Sequence, residues 1–351
     1  MPISERVVIR ISRWSVALGA LVLAVASLQS CAFAAPDPRS QQQANIEALT
    51  RANAAVVGVD VVAVEGSRSA ETLGRERSGS GVVIGPDGLV LTIGYLLLEA
   101  ENIEVTTQDN RTLPARLVAY DQATGFGLVR PLLPLRGVAP VPLGSVADLR
   151  PGDPLMVATG GDEGGIGMTQ VVGKRPFSGA WEYFIDPALF TSPPVQNHSG
   201  APVFNRRGEL MGIGSLFVGD ASGEGQPMPG NMFVPVDLLK PILAELQRNG
   251  TSKTSQRPWL GVTSSEVDGR VKVMRVVPDG PAEAAGLAPG DIVLAVDGAR
   301  VTTLEQFYKK VWARSAPDTQ VTLTVLQGSD LRVIKVQPVD RMTTLAKPAG
   351  I

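Results

Sequence analysis

The first 250 residues contain apolar stretches that are short, rich in Val and cut repeatedly by turn residues, which constrains the fold more than any other feature. Residues 55–64 (AVVGVDVVAV) read as a strand interrupted by Gly58 and Asp60, with a polar loop over 65–78. Residues 80–84, the turn Gly85-Pro86-Asp87-Gly88 and residues 89–92 read as a hairpin, because Pro and Asp-Gly supply turn geometry. Strand patterns recur over 103–107, 112–120 and 127–130, then over 141–144, 154–159, 168–172, 183–185, 202–205, 210–217 and 232–235. Such a series predicts a sandwich or barrel, so the fold class is mostly β. The 38 Gly and 27 Pro agree, favouring turns and short strands over long helices. Two helices are expected, at 44–53 after a flexible polar leader over 36–43, and at 238–248 with Asp237 as cap and Asn249-Gly250 as stop. Residues 251–257 are polar and aperiodic and read as a linker.

Several function classes drop out. A net charge of −2 offers no cluster of cations for phosphate, so nucleic acid is not an expected partner. The N-terminus carries Arg6, Arg10 and Arg13, an apolar run over 16–28 and Ala32-Phe33-Ala34, the arrangement of a secretory signal peptide over 1–34. Leu28-Gln29-Ser30-Cys31 is similar to a lipoprotein box with an unusual Gln, so a lipid anchor at Cys31 stands as the alternative to cleavage after Ala34. The chain is expected to be exported to the periplasm, and membrane-anchored if Cys31 is lipidated. Cys31 is the only cysteine, so after cleavage neither disulfides nor a thiol nucleophile are available. No Cys/His cluster suggests a metal, and no cofactor is expected.

Residues 196–202, Gln-Asn-His-Ser-Gly-Ala-Pro, run into Val203-Phe204-Asn205 and the turn Arg206-Arg207-Gly208-Glu209. This resembles the nucleophile loop of the Deg/HtrA serine proteases, with Ser199 at the nucleophile. Ser78-Gly79-Ser80-Gly81, Pro86-Asp87-Gly88 and Leu89 to Thr92 are similar to the hairpin that leads to the family's catalytic histidine, and Asp121 to Val129 to its acid segment. Residues 230–237 resemble the passage closing the second barrel. The resemblance covers roughly residues 50 to 340 and implies a chymotrypsin-like double β-barrel over 35–250. It puts Tyr95 at the base position, Gly125 at the acid position, and the oxyanion hole on the backbone N–H groups of Asn197 and Ser199.

The triad needs a neutral imidazole to take the serine proton and a carboxylate to hold its tautomer. Tyr, with an ordinary pKa of about 10, is a donor at neutral pH, and Gly brings no charge. His198 is the chain's one histidine, so no shift of register supplies a base. Two other routes to an active endopeptidase are His198 acting as base from its own loop and a dyad of Ser199 with Lys174 or Lys240. The expected state is a pseudoprotease, with an active endopeptidase using Ser199 and a non-standard base as the alternative. Trp181, Tyr183, Phe184 and Phe190 are assigned to barrel core rather than to a substrate pocket.

Beyond the linker, Trp259-Leu260-Gly261-Val262 leads to a strand over 271–277, a short helix ending at Gly286, the turn Pro289-Gly290-Asp291, a strand and Asp297-Gly298. Thr302 or Thr303 caps a helix bearing Leu304, Phe307 and Val311, and two alternating strands follow. This resembles a bacterial PDZ domain, an α+β fold placed at 258–340 with a tail over 341–351. The resemblance implies that backbone N–H groups of Trp259, Leu260, Gly261 and Val262 capture the carboxylate of a polypeptide C-terminus. It also implies homo- or hetero-oligomers with Deg/HtrA-type proteases, although residues 35–50 lack the aromatic cluster that would support a trimer.

Overall fold

The computed structural model describes residues 38–162, 164–314 and 316–346; the signal peptide expected over 1–34, with Cys31, lies outside them. Helix α1 (Pro38–Ala54) is longer than expected and takes in part of the polar leader. Six strands then close a barrel: β1 (Val56–Ala63), β2 (Glu76–Val83), β3 (Val90–Ile93), β4 (Ala100–Thr106), β5 (Thr112–Tyr120) and β6 (Phe126–Pro131), in the order β1-β2-β3-β6-β5-β4. The short α2 (Ala70–Leu73) lies between β1 and β2. A second closed barrel follows from β7 (Pro154–Thr159), β8 (Gly165–Gly179), β9 (Tyr183–Ser192), β10 (Pro202–Phe204), β11 (Leu210–Val218) and β12 (Gly230–Pro235), ordered β10-β11-β12-β9-β8-β7.

Val56, Val57, Val59 and Val61 of β1 are all buried, which explains a run that is almost continuously apolar instead of alternating. One side fills the first barrel and the other meets the second. Gly58 marks that seam, since a Cβ there would stand 2.7 Å from the Cα of Gly161.

Two expectations are corrected. Strands β8 and β9 run to Gly179 and Ser192, far beyond 168–172 and 183–185, and their hairpin tip reaches the C-terminal domain. Asp237 does not cap a helix over 238–248; a 3₁₀ turn spans Val236–Leu238, and α3 occupies only Leu243–Asn249. Pro241 lacks an N–H and disfavours helical backbone at Lys240. The Asp237 carboxylate instead accepts from Ser145 Oγ at 2.6 Å and the Val146 N–H at 2.8 Å.

The C-terminal domain pairs β13 (Pro258–Trp259) with β20 (Val339–Asp340). Its main sheet runs β14 (Val262–Val267), β15 (Arg270–Val276), β16 (Ile292–Val296), β18 (Val321–Gln327), β19 (Asp330–Val336), with β17 (Ala299–Arg300) on β16. Helices α4 (Pro281–Ala284) and α5 (Leu304–Trp312) complete it. Thr303 caps α5 by accepting from the Gln306 N–H, and Leu304, Phe307, Tyr308 and Val311 are the residues it buries. Between the barrels and this domain, Lys253–Ser255 form a 3₁₀ turn, and Ser252 and Ser255 donate to the buried carboxylate of Asp121.

Candidate active site and carboxylate loop

Ser199 sits on a loop held from both barrels. Its carbonyl accepts from the Ser80 N–H at 2.8 Å, and Gly200 and Ala201 exchange hydrogen bonds with Gly214. Gly200 (φ 73°) and Asn197 (φ 54°) take left-handed backbone, which Gly adopts without strain and Asn more readily than most residues. At Gly79 a Cβ would lie 2.6 Å from the Ser199 carbonyl oxygen, so the Gly-Ser-Gly hairpin is what lets the loop come this close.

Across the cleft, the 3₁₀ turn Gly94–Leu97 at the end of β3 aims Tyr95 at the serine. Its phenol donates to Ser199 Oγ at 2.7 Å and lies 3.1 Å from the Ser215 carbonyl. Burial pushes the Tyr95 phenol up from its ordinary pKa, against a weaker opposite pull from Ser199. At neutral pH it therefore keeps its proton and cannot take one from Ser199.

Gly125 lies beside this pair. Its carbonyl accepts from the Gly94 N–H at 2.7 Å, tying the two segments together. It has φ 82°, and a Cβ there would meet Tyr183 Oη at 3.1 Å. The Tyr183 hydroxyl donates to the Thr124 carbonyl at 2.6 Å, so an aromatic side chain stands next to position 125. Asp121 is the one carboxylate in this segment, and Ser252, Ser255 and Thr124 consume its oxygens. The space bounded by Tyr95, Gly125, Trp181, Tyr183 and Ser215 is only about 50 Å³.

The other basic groups considered for Ser199 are engaged elsewhere or do not reach it. Ser199 Oγ takes its hydrogen bond from Tyr95, not from half-buried His198, whose pKa desolvation lowers. Lys174 Nζ donates to the carbonyls of Val146 and Ala147, and Lys240 lies 3.8 Å from Asp237.

The second site lies where β13 passes into β14. Gly261 (φ 80°) turns the backbone so that three successive N–H groups converge. A carboxylate occupies them, and it is the chain's own: Glu182 Oε1 accepts from Gly261 at 2.8 Å and Val262 at 3.0 Å, and Oε2 from Leu260 at 2.9 Å. Trp259 takes no part, being paired with Val339. Glu182 is 5% exposed and adopts φ 57°. Burial pushes its carboxyl up to about 7, against the downward pull of the three N–H groups and Arg341. The aromatic cluster divides accordingly: Tyr183 and Phe190 are barrel core, Trp181 is 42% exposed, and Phe184 packs against the C-terminal domain's core. The sequence signal for Glu182 is one acid embedded in Trp181-Glu182-Tyr183-Phe184.

Residues 79–213 match the trypsin-like peptidase domain, and residues 258–337 match the PDZ domain. Over 290 residues the chain is 28% identical to the putative serine protease HhoA of Synechocystis, covering 74% of this chain and 70% of that protein. It is 25% identical to a probable periplasmic serine endoprotease, DegP-like, of Hahella chejuensis, covering 78% of this chain and 60% of the relative. The chain belongs to the Deg/HtrA family. The serine endoprotease from Yersinia pestis superposes with TM-score 0.50 at 25% identity, covering 87% of this chain and 98% of that one. The HtrA-type protease AlgW with tripeptide shares the fold, with TM-score 0.52 at 21% identity and the same coverage of both chains. The mostly β Deg/HtrA architecture, with a chymotrypsin-like double barrel and one PDZ domain, is thus shared. Within it, the Tyr95 phenol meets Ser199 Oγ, and Gly125 lies against Gly94 and Tyr183.

Proposed function

We propose that this Deg/HtrA chain is a pseudoprotease that works by binding polypeptides, with protein C-termini recognised by the PDZ domain, in a scaffolding, regulatory or chaperone-like role in protein quality control. The domain limits that go with this reading are 35–250 for the barrels, 251–257 for the linker and 258–340 for the PDZ domain. The observation that carries it is the Tyr95 phenol donating to Ser199 Oγ. Acyl transfer requires that the serine lose a proton to a base as it attacks, and loss of the histidine from a triad costs about a million-fold in kcat. A buried phenol opposite the serine offers a proton and no acceptor of useful strength. Ser199 and the Asn197 backbone are proposed to retain an oxyanion-type pocket that binds a carbonyl without cleaving.

The names of relatives called periplasmic, together with the signal-peptide pattern, support a periplasmic location. Lipidation at Cys31 would add a membrane anchor, and globomycin sensitivity of processing tests that part. Association with a second copy or with an active Deg/HtrA protease belongs to the same proposal, with size-exclusion light scattering as its test.

Activity is tested by cleavage of an unfolded protein and by fluorophosphonate labelling, comparing the natural chain with Ser199→Ala. The expected result is no difference between the two. Serine-dependent turnover overturns the pseudoprotease reading.

A further inference from the structure

The β8–β9 hairpin tip occupies the groove between β14 and α5 much as a peptide would. Glu182 supplies the carboxylate, and its three acceptor contacts use every N–H that the Leu260–Gly261–Val262 turn presents. Two residues earlier, the Ala180 carbonyl accepts from the Ser264 N–H at 2.8 Å, extending the edge of β14 that β15 leaves open. From the helix side, Tyr308 Oη donates to the Gly179 carbonyl at 2.8 Å and accepts from the Glu182 N–H at 3.3 Å. Phe184 packs onto the domain core, with Lys309 Nζ 4.7 Å from its ring centroid.

This arrangement is held against a local cost. A glutamate with φ 57° is strained by about 1 kcal/mol or more, and its side chain is removed from water. Such strain persists where surrounding contacts over-determine it, and here the hydrogen bonds to Glu182 come from Leu260, Gly261, Val262 and Tyr308 of the PDZ domain.

We infer that Glu182 is an internal ligand of the PDZ carboxylate loop, so that a polypeptide with a free C-terminal carboxylate binds this chain only by displacing the residue 179–182 hairpin tip. The inference rests on the proposed recognition of C-termini by this loop. Two carboxylates cannot share three N–H donors, so the two occupants exclude each other. The tip thus sets the apparent affinity through the fraction of molecules in which the loop is open.

The test uses the full chain, as the natural protein and as Glu182→Ala and Glu182→Gln. Hydrogen exchange is read at the Leu260, Gly261 and Val262 amides. Fluorescence polarisation is read with a pool of labelled decapeptides randomised at their last three positions, prepared once with a free carboxylate and once as amides. In Glu182→Ala the three amides exchange faster, and the free-carboxylate pool binds about tenfold or more tightly than to the natural chain, while the amidated pool gains nothing. Glu182→Gln keeps one carbonyl acceptor but turns an N–H toward a donor, and so falls between. A circular-dichroism melt checks that both variants fold. Unchanged exchange together with equal carboxylate-dependent affinity overturns the internal-ligand inference and leaves C-terminal recognition standing. Faster exchange with no carboxylate-dependent binding in any of the three proteins overturns C-terminal recognition itself, and displacement with it.

Discussion

At Ser199 and at Leu260–Val262 the same chain presents two sites that differ in what faces them. Ser199 is a proton donor facing another proton donor, Tyr95, and a Cβ at nearby Gly125 would stand 3.1 Å from Tyr183 Oη. The carboxylate loop is a set of donors facing the acceptor it suits, except that the acceptor is covalently part of the molecule. In the proposed reading the first site lacks a base while the second already holds an acceptor, so restoring the first takes several concerted changes, whereas freeing the second takes one.

The largest expected effect concerns the first site. Tyr95→His supplies an imidazole but no carboxylate at 125, so turnover of an unfolded protein stays about 10⁴-fold or more below that of a complete triad. A rate within tenfold of an intact family protease would break the comparison.

Next comes Glu182, faced by the Arg341 guanidinium and the Tyr308 phenol, with Glu266 beyond at the Leu304 N–H. Its pKa is about 7 in the fold against 4.5 in the unfolded chain, so between these values the native state holds a proton that the unfolded state has released. Its contribution to stability is complete below pH 4.5 and declines as pH rises to about 7, by on the order of 3 kcal/mol. Urea denaturation of the natural chain relative to Glu182→Gln across this range reads the slope directly, and a stability difference that increases with pH contradicts it.

Smaller effects separate scaffold from chemistry. Gly125→Ala places a Cβ against Tyr183 Oη at left-handed φ and should destabilise by about 1–3 kcal/mol in thermal melts. Tyr95→Phe removes the donor to Ser199 and should cost about 1 kcal/mol with no change in proteolysis. Activity that fell in Tyr95→Phe would show the phenol taking part in catalysis.

The meeting of Tyr95 with Ser199 was legible because each lies within a short motif that the resemblance aligns locally, and the barrels bring these motifs together. The strand series was readable from turn residues, but β8 and β9 were cut short. Their hairpin tip meets another domain, and neither alternation nor turn chemistry reports a partner 80 residues away. Asp237 was misplaced because a cap pattern is local, while its actual partners, Ser145 and Val146, are distant in sequence. Glu182 was invisible for a related reason. Its meaning depends on three amides of a different domain, and by composition Trp181-Glu182-Tyr183 is an ordinary aromatic strand entry.

Glu182 and Tyr183 are consecutive residues, one bonded to the PDZ loop and the other to the Thr124 carbonyl next to Gly125. A single peptide unit is thus the whole mechanical distance between the two sites. If that unit moves as one body, free energy spent prying Glu182 loose reappears as altered affinity for whatever occupies the cleft at Tyr95. Thermodynamic reciprocity then requires that an occupant of the cleft bias the PDZ loop by the same factor.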